Sequence, residues 1–241
     1  MLRSVTFAIA LTGIGVSLGG AVCTPFGGDD TGCLTADKVK SKCEQKVQKN
    51  VVKAVGGVIK CHKKLADSAF QGKTFDEEAC ESGVLQTFTS KTDTTNCPCV
   101  NKATLATTIE GVTDGNNNKV YCDSAGAAFG GDDTGNVPST KAILVCEDKL
   151  GKCVSLLAKG YGLCHQHAAQ DFVHGTSFDE EACEQTDPKG PANAYNKCVA
   201  SLQGCQGCED ISGLATLVDA SFDGGNNLVF CESPSGAFLS N

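Results

Sequence analysis

The chain contains 241 residues, 16 of them cysteines, and carries a formal net charge of −8 at pH 7. This negative charge argues against nucleic acid or an anionic membrane surface as a partner, because binding to either needs basic patches. Aromatic residues make up only 6% of the chain and tryptophan is absent. We therefore expect a thin core that depends on disulfides for stability.

Residues 1–21 are predicted to be a secretory signal peptide. A basic start, an apolar run over residues 5–18 and small residues ending at Ala21 match the pattern of an exported protein. The run is too short and too glycine-rich for a membrane anchor, and no stretch of the mature chain is apolar enough to span a bilayer. Attachment of a lipid to Cys23 is an alternative, although Val22 is unfavourable just before a lipidated cysteine.

All the cysteines follow this segment, which predicts disulfides formed in an oxidising compartment. The expected location is therefore secreted or in the cell envelope.

The rest of the chain contains an internal sequence repeat. The octet at 74–81, Thr-Phe-Asp-Glu-Glu-Ala-Cys-Glu, returns at 177–184 with only Thr exchanged for Ser. The segment Phe-Gly-Gly-Asp-Asp-Thr-Gly recurs at the same spacing. We predict two cysteine-rich helical repeats, at residues 22–128 and 129–241.

Each unit follows the same predicted order of elements. A loop rich in Gly and Asp precedes a long helix with apolar residues at three- and four-residue steps. This helix is predicted to end at Gly72 in the first unit and at Gly175 in the second. A second helix, a third short helix and a short extended closing segment follow. The predicted fold class is all-α, with two tandem repeats that are each a disulfide-laddered helical hairpin.

The octet has a local explanation as the start of the second helix. Thr74 with Glu77, and Ser177 with Glu180, fit a capping box that satisfies free backbone amides. A pair of catalytic carboxylates is the alternative. It is less favoured because the carboxylates are sequence neighbours and do not converge from separate segments.

Cysteine spacing predicts a nested ladder of bridges across each hairpin. Cys153 and Cys198 have no counterparts in the first unit, which favours them as partners of one another. The predicted pairs are Cys23–Cys33, Cys43–Cys97, Cys61–Cys80, Cys99–Cys122, Cys146–Cys205, Cys153–Cys198, Cys164–Cys183 and Cys208–Cys231. The doublets Cys97/Cys99 and Cys205/Cys208 leave an exchange of partners open within each doublet.

No motif of a nucleotide-binding site, serine hydrolase or zinc protease occurs. We therefore predict no catalytic residues and no cofactor, and a protein that is not an enzyme. Cys205-Gln-Gly-Cys208 resembles a redox Cys-x-x-Cys site, but no βαβ pattern surrounds it.

Metal binding is weakly indicated. The aspartates of the two glycine-bent loops, which are Asp29, Asp30, Asp132 and Asp133, are calcium candidates without an EF-hand pattern. His62 and His165 each follow a cysteine, and we expect them to be surface imidazoles beside a disulfide. One histidine in each unit supplies too few ligands for zinc.

The combination of Cys-His, Phe-Asp-Glu-Glu-Ala-Cys-Glu, Cys-Pro-Cys and a final Tyr-Cys resembles a group of secreted bacterial cysteine-rich helical repeat proteins. The resemblance implies export and a repeat architecture, and no activity. The expected function is an exported structural or binding module whose partner is an unidentified protein or surface ligand. The alternatives are a small-ligand or calcium-binding extracellular protein and, less favoured, a thiol–disulfide redox protein.

Overall fold

A computed structural model describes residues 24–205 and 207–232. The described α-helices are α1 (Lys38–Phe70), α2 (Glu77–Lys91), α3 (Lys102–Gly115), α4 (Lys141–His174), α5 (Pro191–Val199) and α6 (Ile211–Gly225). The described strands are β1 (Thr24–Gly27), β2 (Asp30–Leu34), β3 (Ala128–Gly130) and β4 (Asp133–Asn136). The predicted signal peptide and Cys23, and with them the Cys23–Cys33 pair and the lipid alternative, lie outside the described residues.

The ends of the two long helices follow local sequence signals. The Asp37 side chain accepts hydrogen bonds from two backbone amides at the start of α1, and Thr140 caps α4. The predicted stops are correct, since Gly72 and Gly175 have φ angles of 68° and 72° directly after the helices.

Helices α1 and α4 pack antiparallel over most of their length. Ser41 near the start of α1 donates to the carbonyl of Ala169 near the end of α4, at 3.3 Å. Lys63 near the end of α1 pairs with Asp148 near the start of α4, at 2.6 Å. At the crossing, a Cβ on Gly56 would lie only 2.9 Å from Ser155 Oγ, so glycine permits the close approach. The two halves of the chain therefore lie head to tail.

The helical hairpins are also present. Helix α2 packs on α1, and the corresponding segment in the second half is a π-helical turn (Ala182–Thr186) followed by α5, which packs on α4. A proline at the first position of α5 separates these two pieces. Five predicted disulfides across the hairpins are confirmed, namely Cys43–Cys97, Cys61–Cys80, Cys146–Cys205, Cys153–Cys198 and Cys164–Cys183.

The pairing of the closing segments was predicted wrongly. Cys99 bonds to Cys231 and Cys122 to Cys208, in place of the predicted Cys99–Cys122 and Cys208–Cys231. The prediction assumed that each half closes on itself. Because α1 and α4 are antiparallel, the end of each half lies beside the start of the other half's long helix.

The Gly/Asp loops were also not predicted as strands. Each forms a small antiparallel hairpin, β1–β2 and β3–β4, so the fold is mostly helical and not all-α. The closing segments do not begin extended. These segments, predicted at 120–122 and 229–231, each follow a 3₁₀ turn, at Asn117–Lys119 and Asn226–Leu228, and their first residue is still in the helical region.

The two hairpins pack on opposite halves of the chain. The Cys33 amide donates to the carbonyl of Phe230 at 2.7 Å, and the Asn136 amide donates to that of Tyr121 at 2.9 Å. The N-terminal hairpin therefore belongs spatially with the end of the chain, and β3–β4 lies against the end of α3. Within the described residues, none of the helices combines the length and apolar character needed to cross a membrane.

Candidate metal centres

The repeated octet presents two of its glutamates to the interior. Glu77 and Glu81 lie one turn apart on the same side of α2 and are 6% and 1% exposed. The capping box was predicted wrongly, because Asp76, and not Thr74, accepts the hydrogen bond from the amide of Ala79 at 2.9 Å. Asp179 has the same role in the second copy, at 2.9 Å from the amide of Ala182.

His62 lies on α1 opposite these glutamates. The disulfide Cys61–Cys80 joins the two helices beside it, and each cysteine directly precedes a residue of the site, His62 or Glu81. The predicted surface position of His62 is wrong, because its exposed fraction is 2%. The bridge thus helps to place an imidazole beside a carboxylate in the interior.

Two aspartates complete the arrangement from other segments. Asp114 lies in the last turn of α3, and Asp133 is the first residue of β4. The Thr134 hydroxyl donates to the carbonyl of Asp114 at 2.8 Å, which fastens the hairpin to the end of α3. We call His62, Glu77, Glu81, Asp114 and Asp133 the His62 centre.

The carboxylates of the His62 centre converge on one ring nitrogen. The distance from His62 Nε2 is 2.8 Å to Glu81, 3.0 Å to Asp133, 3.2 Å to Asp114 and 3.6 Å to Glu77. Side-chain exposure is 6% or less for each residue of the set. Four segments that are distant in sequence therefore meet around a single buried imidazole.

The second half contains a matching arrangement, which we call the His165 centre: His165, Asp30, Glu180, Glu184 and Asp223. From His165 Nε2 the distances are 3.1 Å to Asp30, 3.3 Å to Glu180 and to Glu184, and 3.6 Å to Asp223. His165 is fully buried, so its predicted surface position is also wrong. Because Asp30 comes from the N-terminal hairpin, each centre takes one aspartate from the other half of the chain.

Most polar atoms of the two centres lack a hydrogen-bond partner within the described part of the chain. They are both carboxylate oxygens of Asp30, Glu81, Asp133 and Glu180, one oxygen each of Glu77, Asp114, Glu184 and Asp223, and both ring nitrogens of His165. A ring N–H can donate one good hydrogen bond and cannot satisfy four carboxylates. Buried groups without partners are costly, so their concentration here favours the binding of a cation.

The pKa values show the same imbalance of charge. Burial, reinforced by neighbouring carboxylates, raises the pKa of Glu77 to about 10 and that of Glu180 to about 11. Burial alone would lower the pKa of His62, but its hydrogen bond to Asp114 and the other carboxylates beside it raise the pKa to about 11. Metal binding to carboxylates with raised pKa values would displace protons from them.

The spacing of the donor atoms suits a metal ion. In an octahedral complex with bonds of about 2.1 Å, adjacent ligand atoms lie about 3.0 Å apart. The contacts of 2.8–3.6 Å around each Nε2 lie close to this value. The ligand atoms of His62, Glu81 and Asp114 lie within 4.8 Å of one another, and so do those of Asp30, His165 and Asp223, which is close enough for each set to hold one ion.

The second of the three glutamates in each octet accepts a hydrogen bond from the turn of the neighbouring hairpin. Glu78 accepts from the amide of Asp132, and Glu181 accepts from the amide of Asp29, both at 3.3 Å. Gly131 allows this approach, because it has a φ of 59° and a Cβ there would collide with the Glu78 carboxylate. Of the predicted calcium candidates, Asp30 and Asp133 thus lie in the centres, whereas Asp29 and Asp132 lie on the turns.

The candidate redox cysteines are not joined to one another. Cys205 bonds to Cys146, and Cys208 bonds to Cys122.

Comparisons with known proteins identify no relative. No protein-family model matches the chain, and searches of curated proteins and of solved structures found no similar protein. The function must therefore be inferred from the geometry of the centres.

Sequence reasoning missed the two histidines and the inward-facing glutamates. The available signal was that a histidine, two glutamates four residues apart and a loop aspartate all recur in both copies. Their convergence depends on the packing of α1 against α2 and on the exchanged hairpins, neither of which periodicity reveals.

Proposed function

We propose that this protein binds two divalent metal ions, one at the His62 centre and one at the His165 centre. The observation that carries the proposal is the convergence of four buried carboxylates on one buried imidazole, twice, with most of their polar atoms unpaired among the described residues. A divalent cation at each position would supply these atoms with ligand bonds and compensate the negative charge.

The donor set favours an ion that accepts both oxygen and nitrogen ligands. Carboxylates suit Mg²⁺, Ca²⁺ and Mn²⁺, whereas imidazole suits Zn²⁺ and Fe²⁺. Ca²⁺ takes oxygen ligands, so the imidazole nitrogen of each centre makes it the less suitable ion. Mn²⁺ fits best because it combines a preference for carboxylates with six-coordinate geometry, and Zn²⁺ is the comparison ion.

The proposed role of the ions is to hold together segments that are far apart in the sequence. Each ion would link a long helix, the segment containing the octet, the end of a shorter helix and a β-hairpin from the other half. The disulfides are consistent with an oxidising compartment. We therefore infer an exported metal-binding module with an internal repeat, which is a specific form of the binding module expected from the sequence.

The test is to count ions on the purified, disulfide-bonded protein. The protein is stripped with a chelator, loaded with Mn²⁺ or Zn²⁺, freed of excess ion and measured by native mass spectrometry. We expect two ions per chain. The variant Glu81→Gln should retain one ion, and so should Glu184→Gln, because each removes a charged ligand from one centre and leaves the other as an internal control.

The double variant Glu81→Gln/Glu184→Gln should retain neither ion, and circular dichroism establishes that it is folded. Two ions on this folded double variant would contradict the assignment of the sites. Failure of the unaltered protein to retain Mn²⁺ or Zn²⁺ would contradict the proposed function itself.

A further inference from the structure

A basic groove of about 630 Å³ lies between the first half of α1 and the segment that ends α2. Exposed lysines line it, and they are Lys38, Lys42, Lys46, Lys49, Lys53 and Lys91. Those on α1 follow one another at steps of three or four residues, so they share one face of the helix over roughly 22 Å. A chain with a net charge of −8 therefore carries a local concentration of positive charge.

These lysines have no anionic partner within the described part of the chain. None of them forms an ion pair with a described carboxylate, whereas Lys40, Lys63 and Lys119 all do. Asp93 is the one acidic residue among the described residues that line the groove. Its carboxylate accepts from the amide and the hydroxyl of Thr95, at 3.0 and 2.7 Å. The unpaired positive charge suits an anionic ligand.

The internal repeat indicates that the fold does not require this charge. At the spacing of the octets, Val145 and Leu156 of α4 correspond to Lys42 and Lys53 of α1. These two residues are 36% and 45% exposed. The same positions of the long helix therefore accept apolar side chains in the second half, and the lysines add charge that the helix itself does not need.

The lining distinguishes between kinds of anionic partner. None of the described residues that line the groove is aromatic, and the chain contains no arginine apart from Arg3. Nucleic-acid sites use aromatic stacking and arginine, and protein interfaces use aromatic and arginine anchors. A groove also suits a linear chain better than a flat bilayer. Asn50 and Asn96 add amide groups to the lining, which can hydrogen-bond the hydroxyls of a sugar.

We propose that this groove binds a linear acidic polysaccharide, whose anionic groups pair with lysines on successive turns of α1. Cys43 lines the groove, and its disulfide to Cys97 ties α1 to the segment after α2, so the two walls are held in place. None of the described residues that line the groove belongs to the His62 or His165 centre. The proposal is therefore independent of metal binding.

The experiment measures binding of fluorescently labelled polygalacturonate to the full disulfide-bonded protein, freed of excess metal ions, by fluorescence anisotropy. We expect saturable binding that weakens steeply as the salt concentration rises from about 50 to about 200 mM, because pairing with lysines releases counterions. Neutral dextran should not compete with polygalacturonate.

Two double variants separate the groove from the net charge. Lys46→Gln/Lys49→Gln removes two lysines from the groove, whereas Lys149→Gln/Lys152→Gln removes two exposed lysines from the equivalent positions of α4, which do not line it. A lysine beside an anionic surface contributes roughly a factor of five to affinity, so the first variant should bind at least about tenfold more weakly. The second should bind like the unaltered protein. Circular dichroism establishes that both are folded.

Absence of saturable polygalacturonate binding to the unaltered protein would overturn the proposal. So would equal weakening in the two folded double variants, because the net charge and not the groove would then be responsible. Tighter binding of polythymidylate, polyglutamate or phosphatidylserine vesicles than of polygalacturonate would overturn the choice of a polysaccharide.

Discussion

Glu44 and Glu147 are buried carboxylates that hold the exchanged closing segments. Glu44 accepts from the amides of Cys231 and Glu232 at 2.9 and 3.0 Å, and Glu147 accepts from the amide of Cys122 at 3.0 Å. Burial raises the pKa of each to about 8, although these hydrogen bonds act in the opposite direction. Each side chain therefore accepts hydrogen bonds in the fold. Above about pH 8, however, its carboxylate is charged, and burying that charge is unfavourable.

The substitution Glu44→Gln tests this balance. The folded-state pKa of Glu44 is raised from 4.5 to about 8, so the folded protein binds more protons than the unfolded chain between these values. The contribution of Glu44 to the free energy of unfolding therefore falls as the pH rises through this window, and is constant above it. Glutamine keeps an oxygen acceptor without the charge.

As the pH is raised from about 5 to about 9, we expect the free energy of unfolding of Glu44→Gln to increase by on the order of 2 kcal/mol relative to that of the unaltered protein. The measurement is urea unfolding of both proteins at the two pH values. Glu147→Gln should behave in the same way. A stability difference that does not change with pH would show that Glu44 is not protonated in the fold.

At the scale of elements, the β3–β4 hairpin delivers Asp133 to a histidine of the other half. Its turn is held by Glu78, and its second strand is held by the Thr134 hydroxyl. Helix α2 therefore contributes ligands to the His62 centre and also positions the hairpin that supplies another.

The substitution Gly131→Ala should disrupt this arrangement. Alanine at a φ of 59° is strained by about 1–2 kcal/mol, and its Cβ would also displace the Glu78 side chain. We expect the His62 centre to bind Mn²⁺ at least about tenfold more weakly, since ligand positioning is lost, and the His165 centre to be unchanged. Native mass spectrometry over a metal titration measures both.

Gly72→Ala is the control for the backbone strain. Gly72 has a similar φ of 68°, and a Cβ there would meet nothing within 4 Å. The Gly72→Ala substitution should lower the free energy of unfolding through strain by about as much as Gly131→Ala does. It should leave the metal affinities of both centres unchanged. Equal loss of metal binding in the two variants would mean that general destabilisation, and not displacement of the hairpin, is responsible.

At the scale of the whole molecule, the two halves are joined covalently by Cys99–Cys231 and Cys122–Cys208. The other disulfides between described cysteines each lie within one half. This difference makes the exchange of closing segments directly testable. A protease site inserted in the turn after Asp123 would cut the chain between the halves.

We expect the cut protein to run as one band on a denaturing gel without reductant, and as two bands after reduction. Pairing within the halves, as Cys99–Cys122 and Cys208–Cys231, would instead give two bands in both conditions. Because the gel is denaturing, contacts between folded halves cannot produce the single band.

Removal of the metal should also affect the whole molecule. Each proposed ion links segments from both halves, and an ion that binds only the folded state stabilises it by about 2.7 kcal/mol at a free concentration one hundred times its Kd. We expect a chelator to lower the thermal midpoint of the disulfide-bonded protein, and added Mn²⁺ to restore it. The double variant Glu81→Gln/Glu184→Gln should show neither response.

Much of the local structure was predictable. The glycine stops at Gly72 and Gly175 and the five bridges across the hairpins depend on residues that are near in sequence or face each other across two adjacent helices. The burial of His62 and His165 was not predictable in this way. Their surroundings come from segments up to 193 residues apart, as with the hydrogen bond of Thr31 to Gly224.

The sequence by itself determined where the long helices end and which cysteines face each other within a hairpin, because glycine stops and helical periodicity are local. Only the tertiary structure decided that the halves lie antiparallel and exchange their hairpins and closing segments. That exchange brings Asp133 to His62 and Asp30 to His165. The reason is physical: the glutamates of an octet that starts a helix meet an imidazole and a distant aspartate only when close packing buries them against α1 and a hairpin from the other half.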